Sequence, residues 1–197
     1  MLTNPPLPAP AAPPAASAAL ALLALLALLA LPGAAAAQDL YTWSVAAMGG
    51  LGGSTDVKAG SRSFDNGGWQ LEGSVVTDPS VALVARVGDL SLGGKSAFFG
   101  NVLGGDLGYL TLAGQYRFQE SYYDSGIYLG IGGYRLGGTS ATGSSVSTTA
   151  IGGVIGFTGE FKATRRFGVV VEISGHYVDL KDAHLFAMAH AGLAFHF

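Results

Sequence analysis

The sequence predicts an all-β chain, an eight-stranded antiparallel up-and-down transmembrane β-barrel preceded by a cleavable apolar leader. Three observations carry that prediction. First, Leu185 to Phe197 alternates strictly. Leu185, Ala187, Ala189, Ala191, Leu193, Phe195 and Phe197 are apolar, while Phe186, Met188, His190, Gly192, Ala194 and His196 are mixed. That is the period of a strand with one greasy face. Second, mean hydropathy is +0.41, with 49% hydrophobic and only 12% charged residues, about half the charged share of a soluble domain. Yet no segment after residue 37 has the ~20 consecutive apolar residues of a spanning helix. Lipid admits only helices and closed barrels, because every backbone polar group must be satisfied internally. Third, seven earlier stretches alternate in the same way. At the edge of an open sheet the last strand would invite aggregation, whereas in a closed barrel it is paired on both sides.

Residues 1–37 form the leader. Met1 to Ser17 is rich in Pro and Ala, and Ala18 to Leu31 is a run of Ala and Leu. Pro32-Gly33 breaks that run before Ala35-Ala36-Ala37, a small-residue cleavage site preceding Gln38. Cleavage is expected between Ala37 and Gln38, leaving the domain 38–197. No Lys or Arg precedes Lys58, so the usual basic start is reduced to the free amino terminus. A retained anchor helix is the alternative, although the apolar run is short for a span. The chain has no cysteine to accept an acyl group.

Strand one is expected at about Tyr41 to Leu51, with Trp43, Val45 and Ala47 on one face and Ser44, Ala46 and Met48 on the other. A polar loop, Gly52 to Asn66, leads to strand two at about Gly68 to Thr77. There Trp69, Leu71 and Val75 face out and Gln70, Glu72 and Ser74 face in. Asp78-Pro79-Ser80 is a short turn, since Asp bonds nearby backbone and Pro presets φ. Strand three, Val81 to about Gly88, turns Val84 and Arg86 inward, and a Gly/Ser-rich loop holding Phe98-Phe99 follows to about Asp106. Strand four, about Gly108 to Phe118, turns Tyr109, Thr111, Gln115 and Arg117 inward. After a turn at Gln119 to Ser125, strand five covers about Gly126 to Leu136, with a bulge expected near Gly132-Gly133. Gly137 to Thr149 is expected to be a loop. Strand six runs from about Ala150 to Phe161 with Val154, Thr158 and Glu160 inward. Strand seven, Phe167 to Val178, carries Glu172, Ser174 and His176 inward, and strand eight closes the chain. Long loops after strands one, three and five and short turns after two, four and six assign the short turns to the periplasmic side. Tyr41, Trp43, Tyr116, Phe118, Phe161, Phe167, Phe195 and Phe197 gather on that side as an interfacial girdle.

The Ala/Leu leader, the eight alternating strands and the closing Ala191-Gly192-Leu193-Ala194-Phe195-His196-Phe197 resemble the small eight-stranded outer-membrane barrels of Gram-negative bacteria. These are of the OmpA transmembrane domain, OmpX and OmpW type, and the resemblance spans 38–197. It implies residence in the bacterial outer membrane, contact with its lipid and lipopolysaccharide, and a structural or surface-interaction role. It also implies that the barrel assembly machinery reads the last strand, with Phe195 and Phe197 as the recognition positions. No peptidoglycan-binding domain is expected after Phe197, unlike full-length OmpA.

The inward face collects Glu72, Arg86, Arg117, Glu160, Glu172, His176, His190 and His196. A turn centred on Pro79 sets Glu72 opposite Arg86, and a loop centred near Lys181 sets Glu172 opposite His190. An eight-stranded barrel is just wide enough for side chains, and charges buried there must be paired. A charge network of Glu72, Arg86, Arg117, Glu160, Glu172 and His190 filling the lumen is therefore expected. A narrow channel is the alternative, because the inward glycines Gly130, Gly152, Gly156 and Gly192 leave room for water. A lipid A-modifying acyl enzyme would need a nucleophile, a base and an orienting acid. Glu172, Ser174, His176 and His190 supply those types, but their parity points them away from lipid. His190 and His196 lie about 20 Å apart along one strand, which disfavours a metal site. No cofactor motif is present, and a net charge of -3 without a basic cluster gives no support to nucleic-acid binding. The Gly/Ser/Thr-rich loops name no partner.

Overall fold

A computed structural model of the chain describes residues 43–54, 66–92, 102–140, 143–180 and 183–197. The leader, Tyr41, Phe98-Phe99 and Lys181 lie outside the described residues. The strands are β1 (Trp43–Ser54), β2 (Asn66–Asp78), β3 (Val81–Leu92), β4 (Val102–Gln119), β5 (Tyr123–Ser140), β6 (Ser145–Lys162), β7 (Phe167–Leu180) and β8 (Ala183–His196). Each pairs antiparallel with its neighbours in sequence, and β1 pairs with β8 from Ser44↔His196 to Ser54↔Phe186, closing the barrel. The terminal residues are held from both sides. The His196 amide donates to the Arg166 carbonyl at 2.9 Å and the Phe197 amide to the Trp43 carbonyl at 3.0 Å. With no open edge along its closed wall, the sheet meets the condition for crossing lipid.

Strand alternation sorts the two faces. Leu110, Leu112, Ile127, Leu129, Ile131, Ile155, Ile173 and Leu193 are exposed on the outer wall, while Gln70, Arg86, Glu172 and His176 are buried inside. An apolar exterior around a polar lumen is the pattern of a membrane barrel. The girdle beside the short turns is packed ring against ring. Tyr116 meets Phe118 at 5.1 Å between centroids, and Phe195 lies between Phe167 at 4.9 Å and Phe197 at 4.8 Å. Trp69 and Tyr177 are exposed toward the opposite rim.

Three expectations need correction. The stretch Gly137 to Thr149 is not a loop: β5 reaches Ser140, β6 starts at Ser145, and pairing continues to Thr139↔Ser145. Above the lipid a strand needs no apolar face, and Ser and Thr pair well in one, so a polar composition misread a ladder. Gly143, at φ +81°, takes the left-handed conformation of that turn. The turn expected at Gln119 to Ser125 shrinks to residues 120–122, because β5 already begins at Tyr123. Finally, there is no bulge at Gly132-Gly133. The register runs unbroken through Thr111↔Gly132 and Leu110↔Gly133, and β4 and β5 shift only between Leu103 and Gly105.

Bulk, rather than a kink, explains these glycines. A Cβ on Gly132 would meet Thr111 Cγ2 at 2.6 Å and the Tyr134 ring at 3.2 Å, and one on Gly152 would meet that ring at 2.9 Å. Tyr134 thus crosses the lumen between two glycines, and Gly156 yields its space to the Tyr128 phenol in the same way. The space beside the inward glycines Gly152 and Gly156 is taken by tyrosine rings. Gly152→Val should overpack this layer and cost about 1–3 kcal/mol, seen as a lower urea midpoint for the refolded barrel. An unchanged midpoint would show that the ring has room to move aside.

Candidate functional site: the barrel interior

The lumen is layered. Its central layer is built around Arg86, one inward position of β3. Register sets Arg86 opposite Glu72 on β2 and Thr111 on β4, and Glu172 opposite His190 between β7 and β8. The Arg86 Nε lies 2.9 Å from Glu72 Oε2 and 2.9 Å from Glu172 Oε2, so one guanidinium faces two carboxylates. Its Cζ stands 3.8 Å over the Tyr128 ring, a cation–π contact in a desolvated place. Gln70 donates to Glu172 Oε1 at 3.0 Å and accepts from the Tyr109 hydroxyl at 2.8 Å. This belt spans the lumen and is almost wholly buried, with Arg86 1% and Glu172 2% exposed.

On the side of the long connections the lumen is apolar. Leu90, Leu107, Tyr109, Tyr134, Leu136, Val178, Leu180, Phe186 and Met188 form one buried cluster. It caps the Arg86 layer and is lined by inward positions of β3, β4, β5, β7 and β8. Alternation turns Tyr109 inward and puts Phe186 and Met188 on the mixed face of β8. Leu90, Leu107 and Leu180 fall in loops by the sequence reading, whereas β3, β4 and β7 extend through them.

Toward the short turns the lumen opens into a polar vestibule of about 430 Å³. Ser44 and Ser74 share a 2.7 Å hydrogen bond there, and Gln115 donates to Thr158 at 2.8 Å. Glu160 pairs with His196 at 2.5 Å. At the mouth, Asp124 takes both Arg117 at 3.2 Å and Lys162 at 2.8 Å. Of the six residues expected in one network, the structure brings Glu72, Arg86 and Glu172 together and sets His190 beside Glu172. Arg117 and Glu160 belong to separate pairs in the vestibule. These pairs lie at different heights, because the inward positions of one strand spread along its length.

Sequence reasoning missed several participants. Tyr128 alternates with Ile127 and Leu129, so parity alone turns it inward although it was not named as a lumen residue, while the bulge expected near Gly132-Gly133 hid the same signal for Tyr134. Asp124 fell in a supposed turn. Lys162 follows Glu160 by two residues and shares its face, a period-2 signal that was available.

Ser174 and His176 do meet: His176 Nε2 lies 2.9 Å from Ser174 Oγ. The other ring nitrogen faces the Tyr134 hydroxyl at 2.9 Å rather than a carboxylate. Both residues are buried within the lumen, on the opposite face of the wall from lipid. An acyl chain in the membrane has no approach to this pair. Among the described residues, no group of His, Asp and Glu is arranged to hold a metal ion.

No protein-family model matches the sequence, and no curated protein matches it either. Solved structures do match. Neisserial surface protein A aligns with a TM-score of 0.62 at 12% identity, over 79% of this chain and 97% of its own. The N-terminal β-barrel domain of Pseudomonas aeruginosa OprF aligns at 0.53 and 16%, over 78% and 97%. Ail, the attachment invasion locus protein of Yersinia pestis, aligns at 0.52 and 17%, over 79% and 96%. The fold is that of the small eight-stranded outer-membrane barrels. At such identities the likeness concerns the path of the chain, and the layered lumen has to be read from this protein's own residues.

Proposed function

We propose that the chain is an integral protein of the bacterial outer membrane with a structural or surface-interaction role, and that it neither conducts solutes nor catalyses a reaction. The observation that carries this reading is the closure of the lumen. The apolar cluster from Leu90 to Met188 lies over the buried Arg86 layer, and a solute would have to displace both. A protein closed in this way offers other molecules its outer wall and its rims. The outer wall fits lipid and lipopolysaccharide acyl chains, with Trp69 and Tyr177 at the outer rim. In the same reading, residues 1–37 are a signal peptide removed before Gln38, and Phe195 and Phe197 are presented to the barrel assembly machinery. Intact-mass measurement of the membrane-extracted protein should find Gln38 first, and a mass that includes the Ala/Leu run would refute cleavage.

The runner-up is a narrow channel, which the open vestibule favours. Planar-bilayer recording separates the two. Wild type should give no discrete openings, and neither should the protein carrying Met188→Gly, which thins the cap but leaves the Arg86 layer in place. Reproducible single-channel steps in wild type would make the channel the correct reading.

A further inference from the structure

Above the closed wall, on the side of the long connections, the sheet does have an edge. β5 and β6 are paired up to Thr139↔Ser145, but β6 and β7 only up to Gly152↔Val178. β7 ends at Leu180, two residues past Val178 and so level with Ala150. Among the described residues, Ser145 to Thr149 therefore have a strand on one side only. Which backbone groups face the open side follows from the other end of the hairpin. The Lys162 amide donates to the Tyr122 carbonyl at 3.0 Å, and the β5–β6 register is unbroken. Even-numbered residues of β6 thus bond to β5, and odd-numbered ones turn both backbone groups the other way. Ser145, Ser147 and Thr149 present their N–H and C=O groups to no strand among the described residues. Proteins usually blunt such an edge with Lys, Pro or a bulge. Here no charged residue and no proline stands between Arg135 and Glu160.

We propose that this edge pairs antiparallel with the same edge of a second copy of the chain on a facing membrane. A two-fold axis at Ser147 sets Ser147 opposite itself, Ser145 opposite Thr149 and Val146 opposite Thr148. Odd residues then meet only odd residues, so every N–H facing the slot finds a C=O of the other copy. Hydroxyls meet on the outer face and Val146 meets the Thr148 methyl on the inner face, pairs that favour a sheet. Charge does not oppose the contact. Arg135, one strand in, donates to Ser147 Oγ at 3.1 Å. It would stand three strand spacings, about 14 Å, from its equivalent, beyond a Debye length of about 8 Å. The lengths also agree. Leu180 closes the slot below, and the incoming strand stops at Ser145, where β6 begins. Antiparallel pairing points the two barrels opposite ways. Barrels inserted alike in one bilayer do not meet so, whereas copies on facing membranes do, since the long connections lie outside. The inference deepens the surface-interaction role proposed above and rests on that outward placement.

The protein refolded into phosphatidylcholine vesicles tests it. Wild type should tether vesicles, seen as a rise in light scattering over protein-free vesicles, because many weak contacts add. Ser147→Pro removes an edge N–H, and Ser147→Lys sets two ammonium groups opposite each other, so each should abolish tethering. The altered groups take no part in the ladder of the barrel, and an edge strand accepts both. The gel shift of the folded barrel, read in the same vesicles, is the separate check on the membrane reading. The chain has no cysteine, so one introduced thiol reports the register. Ser147→Cys puts two Cα atoms about 5.5 Å apart, within disulfide range, whereas in Ser145→Cys they are about 15 Å apart. On oxidation, Ser147→Cys should form covalent dimer at least about tenfold faster than Ser145→Cys. No scattering rise with folded wild type, tethering that survives both Ser147→Pro and Ser147→Lys, or equal cross-linking of the two cysteine variants would each overturn the proposal.

Discussion

Arg86→Met is expected to lower the unfolding free energy of the barrel by about 3–5 kcal/mol. Among the described residues, Arg86 is the only cation in direct contact with Glu72 and Glu172. Without it, two carboxylates stay in a layer from which water is excluded and repel each other there. The loss measures that uncompensated burial, not the net worth of the ion pairs, since a well-packed apolar replacement of a whole buried network is often neutral. The combined variant Glu72→Gln, Arg86→Met and Glu172→Gln should therefore recover most of the stability. Urea unfolding in lipid vesicles, followed by the gel shift of the folded barrel, reads both. A single Arg86→Met variant as stable as wild type would mean that the layer is hydrated, contrary to its burial.

Leu129→Arg is expected to cost about 2–4 kcal/mol through a different medium. Leu129 is 69% exposed, yet exposure here means contact with acyl chains. On the outer side of β5 the nearest polar positions flanking the apolar run are Ser125 and Arg135, so Leu129 lies near the middle of the apolar band between them. Its cross-strand neighbours are Gly114 and Ile155, neither of which can pair with a guanidinium. The same change in a soluble protein would be close to neutral. Equal vesicle stability of Leu129→Arg and wild type would show that this wall does not face lipid.

The two expectations rest on different levels of legibility. That Leu129 faces out and Arg86 faces in was readable from alternation alone, because a side-chain period of 2 assigns the faces before any partner is known. Glu72 opposite Arg86 needed only one further fact, a tight turn at Pro79, and the ladder there runs Glu72↔Arg86 with its irregularity confined to the strand end near Asp78. Where glycine, serine and threonine crowded together the reading failed. Those residues signal a loop in water, yet they pair as strands in the β5–β6 hairpin, and Gly132 and Gly152 flank a tyrosine rather than bending the chain.

Sequence by itself determined the strand count, the two faces of the strands outside the glycine- and serine-rich half of the β5–β6 hairpin, and the aromatic girdle, all of which follow from local periodicity and from the ban on open backbone groups in lipid. Only the tertiary structure decided which inward side chains share a layer. Arg86 reaches Glu172 across 86 positions of chain because a barrel of eight strands is narrow enough for opposite walls to touch. The apolar cap and the vestibule likewise come from strand stagger around the closed sheet, which sets at what height each inward residue lies. No local pattern encodes that height, since it depends on every register in the ring at once.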